Sequence, residues 1–188
     1  DDEKVAYLEH VYPSIKGRII HKDFLNIEAP YTMPFIVIGN FPYNISTQIV
    51  FKIMEWKEQV PVIIGMFQKE VAQRIASKPG SKVYGIMSVL TQAFYEVEYL
   101  FDIPAEAFDP PPKVISGVIT MQRRPVPLAE YNQLKKLVKA AFNQRRKMLS
   151  NSLKGLQFKE TARYELFKNL RPEQLSVEQF CALSEDLV

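Results

Sequence analysis

The chain has 188 residues, 47% of them hydrophobic, enough for one substantial core or a core with a small satellite. Its formal charge is only +3, no run approaches the roughly 20 apolar residues that cross a bilayer, and no secretory signal pattern opens it. The single cysteine, Cys181, excludes an internal disulfide, and His10 and His21 have no partners at ligand spacing, so no metal site is expected. In chain order, residues 2–11 read as an exposed helix and residues 18–21 as a short strand. Residues 35–39 form an unbroken apolar run, which predicts a buried strand of a parallel sheet covered on both faces. Ser46 is a candidate N-cap for a helix carrying Ile49, Val50, Ile53 and Met54. Residues 60–67 predict a second central strand, 69–76 a helix, 77–82 a loop, and 86–93 another helix. Two late strands, 96–103 and 114–123, are joined by a short proline-stiffened segment, which favours antiparallel pairing.

Regular structure breaks at residues 123–127 (Arg-Arg-Pro-Val-Pro). Beyond the break, Leu134, Leu137, Val138, Ala141 and Phe142 repeat at helical spacing, Leu149 and Leu153 continue the theme, and Ser176 is a candidate N-cap for a last helix. Cys181 falls in that helix as a small buried hydrophobe. The predicted architecture is α/β: a Rossmann-like sheet domain over residues 1–124, followed by a small all-α domain over 128–188. Such a sheet normally opens on a glycine-rich turn and a strand ending in an acid, and neither is present among the seven glycines here. The sheet domain is therefore expected to be incomplete at its amino-terminal side.

The apolar run ends on Gly39-Asn40-Phe41-Pro42-Tyr43. Asn-x-Pro-Tyr brings an amide, a backbone carbonyl and an aromatic ring to the carboxyl end of a strand, where open α/β sheets hold ligands. Two acceptors and a stacking ring suit a flat base that bears an exocyclic amine, such as adenine. Charge is unevenly spread. Residues 1–127 hold 13 basic and 14 acidic side chains, whereas 128–188 hold 11 and 7. Between Tyr131 and Lys159 no acid occurs, and this stretch contains Lys135, Lys139, Arg145, Arg146 and Lys147, candidates for contacts to a polyanion's phosphates. Read alone, Phe108 is a core residue anchoring Pro110-Pro111-Pro112, and Asp23 is a loop or helix-capping acid.

The segment 39–46 resembles the signature of the ribosomal RNA adenine N6,N6-dimethyltransferases, specifically their bacterial, KsgA-like small-subunit branch. Residues 67–74 (Phe-Gln-Lys-Glu-Val-Ala-Gln-Arg), Tyr84-Gly85, 108–116 (Phe-Asp-Pro-Pro-Pro-Lys-Val-Ile-Ser) and 141–147 (Ala-Phe-Asn-Gln-Arg-Arg-Lys) resemble the same family in order and spacing, across essentially the whole chain. The resemblance implies S-adenosylmethionine as methyl donor and two adjacent adenosines in a hairpin near the 3′ end of 16S small-subunit ribosomal RNA as target. The expected setting is the immature 30S subunit, with the enzyme a cytoplasmic monomer without metal or membrane attachment. Asp23 would bond the donor's adenine amine. Asn40 would touch the donor and, with the Phe41 carbonyl, hold the target amine, Pro42 completing the turn. Tyr43 would stack on the target base, and Phe108 would close on it. An apolar Phe41 accompanies double methylation in this family. The donor's glycine-rich turn has no counterpart here. A non-catalytic RNA-binding assembly factor and a large-subunit RNA dimethyltransferase are the alternative readings.

Overall fold

In the computed structural model, which describes residues 2–159 and 162–188, four strands form one sheet. They are β1 (Val37–Asn40), β2 (Val62–Gln68), β3 (Tyr95–Ile103) and β4 (Ser116–Arg123), in the order β1-β2-β4-β3. β1 and β2 are parallel, and β4 runs antiparallel to both β2 and β3. A parallel pair needs a crossover, which α2 (Ser46–Glu55) supplies. Its Ile49, Val50, Ile53 and Met54 are buried in one stripe, as their spacing requires. The antiparallel pairing of β3 and β4 follows from their short connection, as expected.

β2 lies at the middle of the sheet, with Ile63 and Phe67 fully buried. β1 departs from expectation. It pairs only with β2, and Ile36 and Ile38 are 57% and 73% exposed rather than covered on both faces. An apolar run measures a strand's affinity for cover, but cover comes from neighbouring elements, and β1 is an edge strand with no second described strand paired to it. Ser46 also differs. The helix starts on it with Ile45 as the N-cap, and the Ser46 hydroxyl donates back to the Tyr43 carbonyl at 3.2 Å.

After β2 come α3 (Lys69–Ile75) and α4 (Ile86–Gln92), then, beyond β4, α5 (Tyr131–Asn143), α6 (Leu149–Ser152), α7 (Ala162–Phe167) and α8 (Val177–Ser184). Glu130 caps α5, accepting from the backbone N–H groups of Asn132 at 2.9 Å and Gln133 at 2.7 Å. Ser176 caps α8 as its sequence predicts, in a reciprocal pair with Gln179. Leu134, Leu137, Val138 and Ala141 of α5 are buried, and Phe142 meets Tyr84 edge-on at 6.1 Å and Phe180 of α8 at 5.7 Å. Cys181 is buried in this cluster, and burial pushes its thiol up to about 12. Among the described residues no helix is long and apolar enough to cross a membrane.

The fold divides into residues 1–32 and 33–188. The first unit holds a helix, α1 (Asp2–Val11), and single 3₁₀ turns at Pro13–Ile15 and Phe24–Asn26. Residues 18–21 are not a strand. They follow a turn at Gly17 (φ +76°), and no described strand offers their backbone a ladder partner.

Candidate active site

β1 ends on Asn40, opposite Met66 of β2, and the Phe41 N–H extends the ladder by donating to the Met66 carbonyl at 3.2 Å. Asn40 is exposed, whereas the Phe41 ring is buried against Phe67 at 5.1 Å. Space for that ring comes from a glycine pair. Gly39 and Gly65 face each other across β1 and β2, and a Cβ on Gly39 would overlap the Phe41 ring. A Cβ on Gly65 would sit 2.6 Å from Phe41 Cε2 and 2.5 Å from Phe67 Cε2. The buried phenylalanine thus anchors the turn while the residues on either side stay outside. Pro42 starts the reversal into α2, its carbonyl accepting from Ile45 N–H at 3.2 Å.

Tyr43 is half-buried, and its hydroxyl lies 2.5 Å from the Ser116 hydroxyl at the start of β4. Phe108 is half-buried as well, at the end of the 3₁₀ turn Ala105–Ala107 and ahead of a cis Asp109–Pro110 peptide. Asn40, Phe41, Pro42 and Tyr43 share one open cavity of about 400 Å³ with Phe108, Asp109, Pro110 and Pro112. Five predicted site residues therefore surround one slot. The structure adds Asp109, Pro110 and Pro112 as lining and Ser116 as a support; all four belong to the proline-rich sequence segment, but nothing in that pattern says which residue turns towards the strand end.

Asp23 belongs to the first unit. One carboxylate oxygen accepts from Leu25 N–H at 3.0 Å and the other from the Asn26 amide at 2.7 Å, so it caps its own turn. Each oxygen keeps a further lone pair, and the group is exposed. Elsewhere, residues 142–147 line an open cavity of about 400 Å³ at the end of α5. Arg146 and Lys147 are exposed there. Arg145 is engaged internally: it donates to the Ser81 carbonyl at 3.1 Å and lies 3.9 Å from the Glu173 carboxylate. Glu173's own carbonyl accepts from Gly80 N–H at 2.7 Å, so this corner fastens the 77–82 loop. Lys135 is half-buried, its ammonium 5.1 Å from the Tyr131 ring centre, and Lys139 is exposed on α5. Among the described residues no cluster of His, Cys, Asp and Glu could hold a metal ion.

A strand-end amide beside an open slot lined by Tyr43 and Phe108 sits on an α/β sheet, and comparison with solved structures agrees on the fold. A dimethyladenosine transferase from Plasmodium falciparum superposes with a TM-score of 0.80 at 18% identity, covering 96% of this chain and 80% of that one. The 23S rRNA methyltransferase ErmE does so at 0.73 and 22% identity, covering 97% and 78%. The ribosomal RNA adenine dimethylase family model matches residues 4–187. Proteins called ribosomal RNA small subunit methyltransferase A are similar throughout: that of Parabacteroides distasonis is 52% identical over 98% of this chain and 71% of the relative. That of Flavobacterium johnsoniae is 51% identical over 100% and 74%. The chain belongs to the ribosomal RNA adenine dimethylase family. It is a methyltransferase acting on ribosomal RNA, with S-adenosylmethionine as methyl donor. Within the first unit, the exposed Asp23 carboxylate keeps lone pairs that can accept from an amine, the chemistry an adenine-bearing donor offers.

Proposed function

We propose that the protein dimethylates N6 of two adjacent adenosines in a hairpin near the 3′ end of 16S small-subunit ribosomal RNA, acting as a cytoplasmic monomer on the immature 30S subunit. The observation that carries this reading is the shared slot: a strand-end amide and two aromatic residues, far apart in sequence, around about 400 Å³ of open space. The names of the relatives support the small-subunit target.

The amine of adenine is a weak nucleophile because its lone pair is delocalised into the ring. Two acceptors in different directions, the Asn40 side-chain oxygen and the Phe41 carbonyl, would draw its hydrogens out of the ring plane and return the lone pair to nitrogen. S-adenosylmethionine, when bound, supplies an electrophilic methyl group on a sulfonium. The site residues then act by aim, and alignment of this kind is worth roughly 7–11 kcal/mol. No side chain need remove a proton first, since the amine hydrogen becomes acidic once nitrogen bears the new methyl and is lost to water. Taking the base out of its own stack costs a few kcal/mol. Stacking on Tyr43 and Phe108, at roughly 1–3 kcal/mol per aromatic contact, is of the size needed to offset that cost.

In this reading residues 128–188 form the RNA-facing domain, with Lys139, Arg146 and Lys147 as the free phosphate contacts. Lys135 contributes from its position over Tyr131, and Arg145 acts by shaping the corner beside them. Asn40→Ala in the full-length protein should abolish methyl incorporation from labelled donor into immature small subunits while leaving RNA affinity within about twofold, well under the 1.4 kcal/mol of a tenfold change. Wild-type turnover in that variant would remove the mechanism.

A further inference from the structure

Ser116 is fully buried at the first position of β4, held in register between Gln68 of β2 and Ile103 of β3. A hydroxyl shut away from water needs a partner, and among the described residues the phenol of Tyr43 supplies it, at 2.5 Å and 73 residues away. Ser116 also terminates the segment that carries Phe108, Asp109, Pro110 and Pro112 into the slot. A single bond therefore ties the strand-end wall of the slot to the proline-rich wall at a point where β4 is paired on both sides. A tyrosine ring turns about two side-chain torsions, and fixing its far end removes that freedom.

We propose that Ser116 is a positioning residue for the stacking tyrosine: its hydroxyl clamps Tyr43 so that the ring plane stands ready for the flipped adenine and the phenol does not compete for the amine. This inference rests on the adenine reading of the slot. The group acts through Tyr43 and never touches the base. Loss of one such bond is worth roughly three- to tenfold in an equilibrium or rate, and the loss belongs in kcat because RNA docking relies on other surfaces.

The test is a double-mutant cycle in the full-length protein, with methyl transfer to immature small subunits read as kcat and KM separately. Ser116→Ala and Tyr43→Phe should each lower kcat by roughly three- to tenfold at unchanged KM for RNA, and the double variant should be no slower than either single one. Ser116→Cys keeps the volume but bonds weakly, so it should behave like Ser116→Ala; recovery of full turnover by Cys means that the site only needs filling, and overturns the proposal. Wild-type turnover in Ser116→Ala, or losses that multiply in the double variant, overturns it equally. Should Ser116→Ala not fold, Tyr43→Phe removes the same bond from the half-buried side, and unaltered turnover there is the overturning result. A wild-type protein that methylates no RNA sinks the slot's adenine reading and this inference together, whereas the other outcomes bear on Ser116 alone.

Discussion

Gly65→Ala tests how far the buried floor of the turn controls the chemistry above it. The new Cβ would lie 2.6 Å from Phe41 Cε2 and 2.5 Å from Phe67 Cε2. Carbon atoms rest at about 3.5–4.0 Å, so each ring must retreat by roughly 1 Å. Phe67 is fully buried in the central strand, while Phe41 sits on the two-sided turn beyond an edge strand. Both rings must give; Phe41 gives the more, and Asn40 and Tyr43 are carried with it. Overpacking of this kind costs typically 1–3 kcal/mol, less the roughly 0.4–1 kcal/mol by which alanine restricts the unfolded chain. A net loss of about 0.5–2.5 kcal/mol should appear in urea unfolding, with an unchanged m-value. A misplacement of about 1 Å at a reacting group can cost about 10²-fold, so methyl transfer should fall by about that factor while RNA affinity holds. Phe41→Leu, which shortens the ring's reach, should restore part of the stability in the double variant. Equal stability and turnover in Gly65→Ala and the parent would refute the reasoning.

Reversing Arg146 and Lys147 to Glu should weaken RNA binding and lower the slope of log K against log salt by about one for each phosphate no longer neutralised; an unchanged slope clears both residues. Arg145→Met should act differently, loosening the 77–82 loop that Arg145 fastens through Ser81, seen as faster amide exchange at Gly80 and Ser81. Backbone N–H groups of Asn132 and Gln133 hold the Glu130 carboxyl below its ordinary value. Its folded value is thus the lower one, and its contribution is complete above the unfolded value and lost as pH falls through the folded one. Glu130→Gln should therefore flatten the acid limb of the stability–pH curve and leave less to lose below about pH 4; an identical acid limb in the variant would discount the cap.

Much of this protein is readable from one dimension because the signals are local. Burial stripes in α2 and α5, the reciprocal cap at Ser176 and Gln179, and the strand that stops at Asn40 each depend on residues within one or two turns of one another. The basic stretch from Lys135 to Lys147 is legible for the same reason. Tertiary structure decided the rest. Whether Ile38 is covered depends on which strand flanks β1, and whether Arg145 is free depends on Ser81 and Glu173, far along the chain. Asp23, which by itself reads as a loop or helix-capping acid, does cap its own turn, and that contact is local. Gly65 looks like an interruption of an apolar run until Phe41 is seen lying over it. Phe108 is ambiguous between core and slot because an aromatic before prolines carries no direction, and only the pairing of β4 with β2 brings its segment to the end of β1. Local pattern reports what each residue can do, whereas long-range pairing selects which partner it meets, and at this site every wall of the slot is set by such a meeting.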